Sequence, residues 1–175
     1  TLFPYTTLFR SAKMKGDLMR LSNGKNFGLN AVDMIFKSDQ FMQRKMGQES
    51  ADPVSVIVPI TSDKGLCGAV NSTIVREVKK IFNEPGINRS KYTIFSIGDK
   101  GTSGLTRPFP DCLKTSITKV QMPYNYPTVM ALAVHVNQFS NDADKIIVLY
   151  NEFKNAATYY PRQMELMPRR RFLES

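Results

Sequence analysis

Between Thr61 and Asn71 the chain reads TSDKGLCGAVN, which gathers hydroxyls (Thr61, Ser62), a carboxylate (Asp63), an ammonium (Lys64) and a thiol (Cys67) around Gly65 and Gly68. Glycine permits positive φ and close backbone approach. A loop that leaves the carboxyl end of a strand for a helix N-terminus can hold an anion. The segment matches neither G-x-x-x-x-G-K-[ST] nor G-x-G-x-x-G, because Lys64 precedes the first glycine instead of following the last. The expected reading is a tight strand–helix connection capped by Asn71 or Ser72. A protein-contact role for the same loop is compatible with it.

A thiol near a helix N-terminus is more acidic than usual, but nucleophilic catalysis also needs a base beside it. The single histidine, His135, falls in a later helical segment, and no pattern brings it to Cys67. Cys67 is therefore expected to be a packed small side chain, and His135 a surface or partly buried one. Asp63, Asp99, Asp142 and Asp144 flank strand ends. Carboxylates there can hold Mg²⁺, yet turns and caps use Asp at the same places. Tyr124, Tyr126, Tyr159 and Tyr160 lack the interleaved basic residues of a base-stacking platform. The nine methionines concentrate in helical or terminal segments and suit gap filling. No catalytic residue, cofactor-binding residue or metal ligand is expected.

These residues need a frame. The β-branched run Val54–Ile60 predicts a strand, and Ile74, Val75, Val78, Ile81 and Phe82 recur at helical spacing over Ser72–Phe82. Pro85-Gly86 stops that helix. Lys91–Ile97 reads as the second strand, Gly98–Gly101 as its loop, Thr102–Thr106 as a short helix, and Leu113–Val120 as a strand near an edge. Tyr126-Pro127 opens a helix whose apolar face is Val129, Leu132, Ala133, Val136 and Phe139. Lys145–Tyr150 is a strand, Asn151–Asn155 turns the chain, and Ala156–Leu166 returns as a hairpin with Pro161 on an edge. The order predicts an α/β fold: a three-layer sandwich around a mostly parallel sheet of about five strands, with an antiparallel closing strand.

Upstream, Thr1–Ser11 (TLFPYTTLFRS) resembles a translated sequencing adapter and has no targeting architecture, so it is expected to be a non-native leader. Residues 12–53 read as helical segments, Ala12–Leu21 and Phe27–Lys45, with a turn at Asn23-Gly24 and a linker at Gly47–Pro53. Residues 54–168 form the α/β domain, and 169–175 begin a C-terminal region.

The composition, 42% hydrophobic and 22% charged, is that of a globular domain. Apolar runs are too short for a membrane-crossing helix. A net charge of +9 favours an acidic partner, whether nucleic acid, anionic membrane or acidic protein surface. The charge is scattered apart from Arg169-Arg170-Arg171, which suits a solvated surface better than a nucleic-acid stripe. Cys67 and Cys112 lie far apart without a C-x-x-C, so a reducing compartment is expected, without a disulfide framework or structural zinc.

The strand ending at Ile60, the run Ser62-Asp63-Lys64-Gly65-Leu66-Cys67-Gly68 and the following Asn71 resemble the signature loop of the γ subunit of F-type ATP synthases. Phe95–Gly101 resembles that family's second strand and loop, and Ile146–Phe153 with Ala156–Glu165 its closing hairpin. The resemblance spans roughly Phe27 to Pro168. It implies a central-stalk rotor subunit that couples proton-driven rotation to ATP synthesis at the β-subunit sites. Such a subunit does no chemistry of its own and carries no cofactor, because ATP and Mg²⁺ bind on α and β. It implies as partners the α and β subunits of the catalytic ring, the δ/ε stalk subunits and the membrane c-ring. Nucleic acid is not among them, and membrane contact comes only through the complex. It implies that Asp63, Lys64, Gly65, Leu66, Cys67 and Gly68 contact the β subunit. The family's long terminal helices are expected before Ala12 and after Glu165, so the chain is expected to be a fragment. The expected location is the matrix side of the mitochondrial inner membrane, with the cytoplasmic face of a bacterial inner membrane as the alternative. Two other readings stay open: a small α/β nucleotide- or anion-binding domain using Asp63–Gly68, and a basic nucleic-acid-binding module.

Overall fold

The computed structural model describes residues 15, 16, 18–20, 22–24, 28, 52–65, 69–120, 125–155 and 158–174. Expectations for Thr1–Ser11, for most of residues 12–51, and for Leu66, Cys67, Gly68, Tyr124, Ala156 and Ala157 lie outside the described residues. The chain divides into two compact units, Thr1–Glu49 and Ser50–Ser175. In the first, the described residues are helical.

The second unit runs β1 (Ser55–Pro59), α1 (Val70–Phe82), a single 3₁₀ turn (Arg89–Lys91), β2 (Tyr92–Ile97), α2 (Asp99–Thr106), β3 (Leu113–Ile117), α3 (Tyr126–Phe139), β4 (Lys145–Asn155), β5 (Thr158–Leu166) and α4 (Arg169–Glu174). The sheet order is β3-β2-β1-β4-β5. β1 pairs in parallel with β2 and β4, β2 in parallel with β3, and β5 closes antiparallel to β4. This is the predicted α/β architecture. The strand order reverses between β1 and β4, as in doubly wound folds.

Every residue of β1 is buried, which is why it reads as a continuous apolar run: a central parallel strand is covered on both faces. Alternation sorts its side chains. Ile57, in register with Ile94 and Ile147, belongs to one buried cluster with Ile74, Val78, Ile81 and Phe82 of α1 and Leu105 of α2. Val56 and Val58, with Phe95 and Ile146, face Val136 and Phe139 of α3. Phe82 stacks on Phe109 at 4.4 Å between ring centroids, and Phe95 meets Phe139 edge-on at 5.2 Å.

Several boundaries depart from expectation. α1 starts at Val70 behind Ala69, which has no side-chain cap; the Asn71 carboxamide oxygen instead accepts from the Ser62 amide. α2 starts at Asp99 rather than Thr102. β3 stops at Ile117, because Lys119 turns the backbone at φ 58°. β3 and β5 are the edges, and Pro161 lies on β5 opposite Asn151. On α3, Val129 and Ala133 are exposed, while Leu132, Val136 and Phe139 are half-buried.

Candidate functional site

The parallel strands β1, β2, β3 and β4 discharge their loops at one end of the sheet. Open α/β folds bind ligands at that end, where the strand order reverses, and the Thr61–Gly68 loop leaves β1 there. Its described part is tied down by a closed set of hydrogen bonds. The first-turn amides of α2 all donate back to it: Asp99 N to Asp63 Oδ1 at 3.0 Å, Lys100 N to the Ser62 carbonyl at 3.1 Å, and Gly101 N to Thr61 Oγ1 at 2.8 Å. The Thr61 hydroxyl itself donates to the Ile97 carbonyl at 3.0 Å. The second oxygen of Asp63 accepts from Val120 N, past the end of β3, at 3.1 Å. One carboxylate thus spans the exits of three strands.

Two further links join the loop to α1 and α1 to β4. Ser62 N donates to Asn71 Oδ1 at 2.9 Å, and Asn71 Nδ2 donates to Ser62 Oγ at 2.8 Å. Asn151 Nδ2 donates to the Val70 carbonyl at 2.9 Å, tying the outer half of β4 to the start of α1.

This close approach depends on glycine. Gly98 has φ 101°, and a Cβ there would overlap the Thr61 carbonyl. At Gly101 a Cβ would come within 2.6 Å of Thr61 Oγ1. Electrostatically, the Asp63 carboxylate sits at the positive N-terminal end of α2, and its bonds to amides are charge-assisted. The chain's own groups therefore occupy the position on α2 where an external anion would bind, which counts against an anion-binding role there.

Lys64 and Gly65 are exposed and Asp63 is half-buried. Lys100 runs beside the loop: its Cε would lie 3.6 Å from a Cβ at Gly65, and its ammonium is 3.5 Å from the Asp99 carboxylate. Leu66, Cys67 and Gly68, the remaining expected contact residues, lie outside the described residues. The positions of Lys64 and Gly65 could be read from the sequence. The two-amide role of Asp63 could not, since its partners are distant in the chain.

The other candidates separate. His135 is exposed on α3, against the sheet face opposite α1. Cys112 is buried in the α1 side of the core, and burial pushes its thiol up despite the opposing Arg89 charge, as for an inert structural thiol. At the amino end of the sheet, Asp144 accepts from Val54 N at 2.8 Å and pairs with Arg171, while Arg170 pairs with Asp142 at 3.4 Å. Two members of the basic triplet are thus engaged within the domain. Among the described residues no cluster of three or more His, Cys, Asp or Glu side chains could hold a metal. None of their helices is long and apolar enough to cross a membrane.

Fold and site together define a doubly wound α/β domain with a braced loop after its first strand. The chain belongs to the ATP synthase family, whose model matches residues 10–174. It is 26% identical over 161 residues to the ATP synthase gamma chain of Pelagibacter ubique, covering 90% of this chain and 52% of that protein. It is 27% identical over 135 residues to the mitochondrial ATP synthase subunit gamma of Trypanosoma brucei brucei, covering 75% and 41%. Among solved structures, it matches a chain of the central stalk/c-ring of the Tetrahymena thermophila mitochondrial ATP synthase. That match has a TM-score of 0.80 and 43% identity, over 95% of this chain and 72% of that one. The chain spans about half the length of the curated relatives it matches.

Proposed function

We propose that this chain is the globular part of a central-stalk rotor subunit of a proton-translocating ATP synthase, coupling rotation to ATP synthesis on other subunits without chemistry of its own. The observation that carries this reading is the 43% identity and TM-score of 0.80 to a chain of the Tetrahymena central stalk/c-ring. Its partners are then the α and β subunits, the δ/ε stalk subunits and the c-ring. Its place is the matrix side of the mitochondrial inner membrane, a location supported by the mitochondrial relatives from Tetrahymena and Trypanosoma.

In this reading Asp63–Gly68 is the segment that meets the β subunit. The exposed Lys64 supports it: a flexible, hydrated cation can meet a carboxylate without a fixed geometry. Exposed pairs of that kind are worth about 0–1 kcal/mol, so they break as the rotor turns. Coupling then arises from different contacts in discrete states.

The test is co-expression of the full-length subunit with α and β. The expected result is co-purification with ATP hydrolysis, and Lys64→Glu weakens association with β several-fold. A chain that ignores α and β but binds nucleotide, or binds nucleic acid with a steep salt dependence, would overturn the proposal.

A further inference from the structure

We infer that Asp144 is a positioning residue that fastens the entry and the exit of the α/β unit to each other, so that force on one connection reaches the other. The sheet brings both connections to one end. β4 lies between β1 and β5. β1 starts beside it, with Ser55 in register with Lys145, and β5 runs back to place Leu166 opposite Ile146. Asp144, the residue before β4, therefore stands between Val54, where the chain enters, and α4, where it leaves. Its amide donates to the Val54 carbonyl at 2.7 Å, and its Oδ2 accepts from Val54 N at 2.8 Å. Its Oδ1 pairs with the Arg171 guanidinium in the first turn of α4. Two more contacts seat the exit nearby: Arg169 N donates to Asn137 Oδ1 at 3.3 Å, and Arg170 pairs with Asp142 at 3.4 Å. The Asp144 side chain is only 18% exposed, against 93% for Asp142, so solvent screens its pair less. One carboxylate thus holds both connections, and freeing one oxygen lets the group turn away from the other bond. The functional part rests on the rotor reading: a subunit that passes rotation between partners loses displacement to any slack at such a joint.

The experiment uses the full-length subunit, alone and assembled with the catalytic ring and the membrane sector, carrying Arg171→Ala, Asp144→Ala or Asp144→Asn. Hydrogen exchange at the Val54 amide reads the entry, and exchange along α4 reads the exit. Arg171→Ala decides, because it removes no group bonded to Val54. It is expected to raise exchange at Val54 several-fold, through the carboxylate it releases. Asp144→Ala is expected to raise exchange at Val54 by roughly tenfold or more, the loss typical of a hydrogen bond to a charged group. It should also raise exchange along α4 and lower the number of protons moved per ATP hydrolysed, with assembly and hydrolysis retained. Asp144→Asn keeps an acceptor for Val54 and loses the charge, so it should loosen α4 more than Val54.

Exchange at Val54 that stays at the wild-type rate in Arg171→Ala would overturn the inference, since Asp144 would then brace β1 alone. So would an unchanged proton-to-ATP ratio in an Asp144→Ala complex whose two connections have loosened. If Asp144→Ala raises exchange throughout the sheet, Arg171→Ala still judges the joint, because it truncates a side chain that is 40% exposed. A wild-type subunit that fails to bind α and β sinks the rotor reading, while exchange in the subunit alone still tests whether Asp144 links entry to exit.

Discussion

Against one face of the sheet, α1 and α2 lay Ile74, Val78, Ile81, Phe82 and Leu105 over Ile57, Ile94, Ile147 and Leu149, and each of these side chains is buried. Against the other face, α3 contributes Val136 and Phe139, both half-buried, and has no fully buried residue of its own. The sequences of the two helices explain the contrast. α1 carries Arg76, Lys79 and Lys80 on its exposed side, and this polar side fixes which stripe turns inward. α3 has no charged residue, and it leaves Val129, Met130 and Val134 at 51%, 43% and 48% exposure. Cohesion therefore comes mainly from the α1 side.

A matched pair of truncations tests this most sharply. Val78→Ala removes the same two methyl groups as Val136→Ala, but from a fully buried site. The first should cost about 2–3 kcal/mol, transfer plus cavity, and the second about 1 kcal/mol, because a half-buried side chain forfeits less area and the site stays open to water. Denaturant unfolding of the full chain reads both. Equal costs would mean that the α3 face is packed as tightly as the other.

The same contrast explains what could be read in advance. The strand Val54–Ile60 and the α1 stripe were legible because β-branched residues and a 3.6-residue period signal local structure by themselves. The closing hairpin followed from strand composition and a short connection, and the edge position of Pro161 from the missing N–H of proline, although Asn151–Asn155, expected as the turn, continues β4 in register with β5. Placing Val129 in the core failed because an uncharged helix offers several apolar stripes and no polar side to choose between them. The first turn of α2, Asp99-Lys100-Gly101, read as loop because of its glycines. It becomes helical because Asp63, Ser62 and Thr61 satisfy its amides from far away in sequence. The cap expected from Asn71 was lost to Ser62, nine residues away, and β3 ends early where Lys119 turns the backbone. The bonds that make Asp99–Gly101 helical come from residues 36 to 40 positions away, which no local window contains.

A smaller effect probes the closed face by titration. Burial raises the Cys112 thiol above its ordinary value, so the folded state favours the neutral form. The associated stability is present below the unfolded thiol value and is lost as pH rises through the folded one. Unfolding free energy should therefore fall from neutral pH to about pH 10 more steeply in the wild type than in Cys112→Ala, since the two chains differ only at that thiol. Identical slopes would show that water reaches the thiol, and that the α1 side of the core is less closed than its side chains indicate.

The smallest expected effect belongs to the open face. Val129→Ser and Met130→Gln replace apolar groups that are about half in water already, and they leave the Asn125 cap at the start of α3 untouched, whose side chain accepts from Thr128 N at 3.0 Å. Surface substitutions away from caps and cores usually fall within about ±0.5 kcal/mol, and both should do so in the full chain. Their value lies in the pairing with Val136→Ala on the same helix. If Val129→Ser costs as much as Val136→Ala, exposure along α3 does not grade its contribution, and the difference between the two faces lies in the sheet rather than in the helices. If Val129→Ser is silent while Val136→Ala costs its expected amount, the end of α3 nearest Phe139 holds the helix to the sheet, and its first turns contribute little to the stability of the domain.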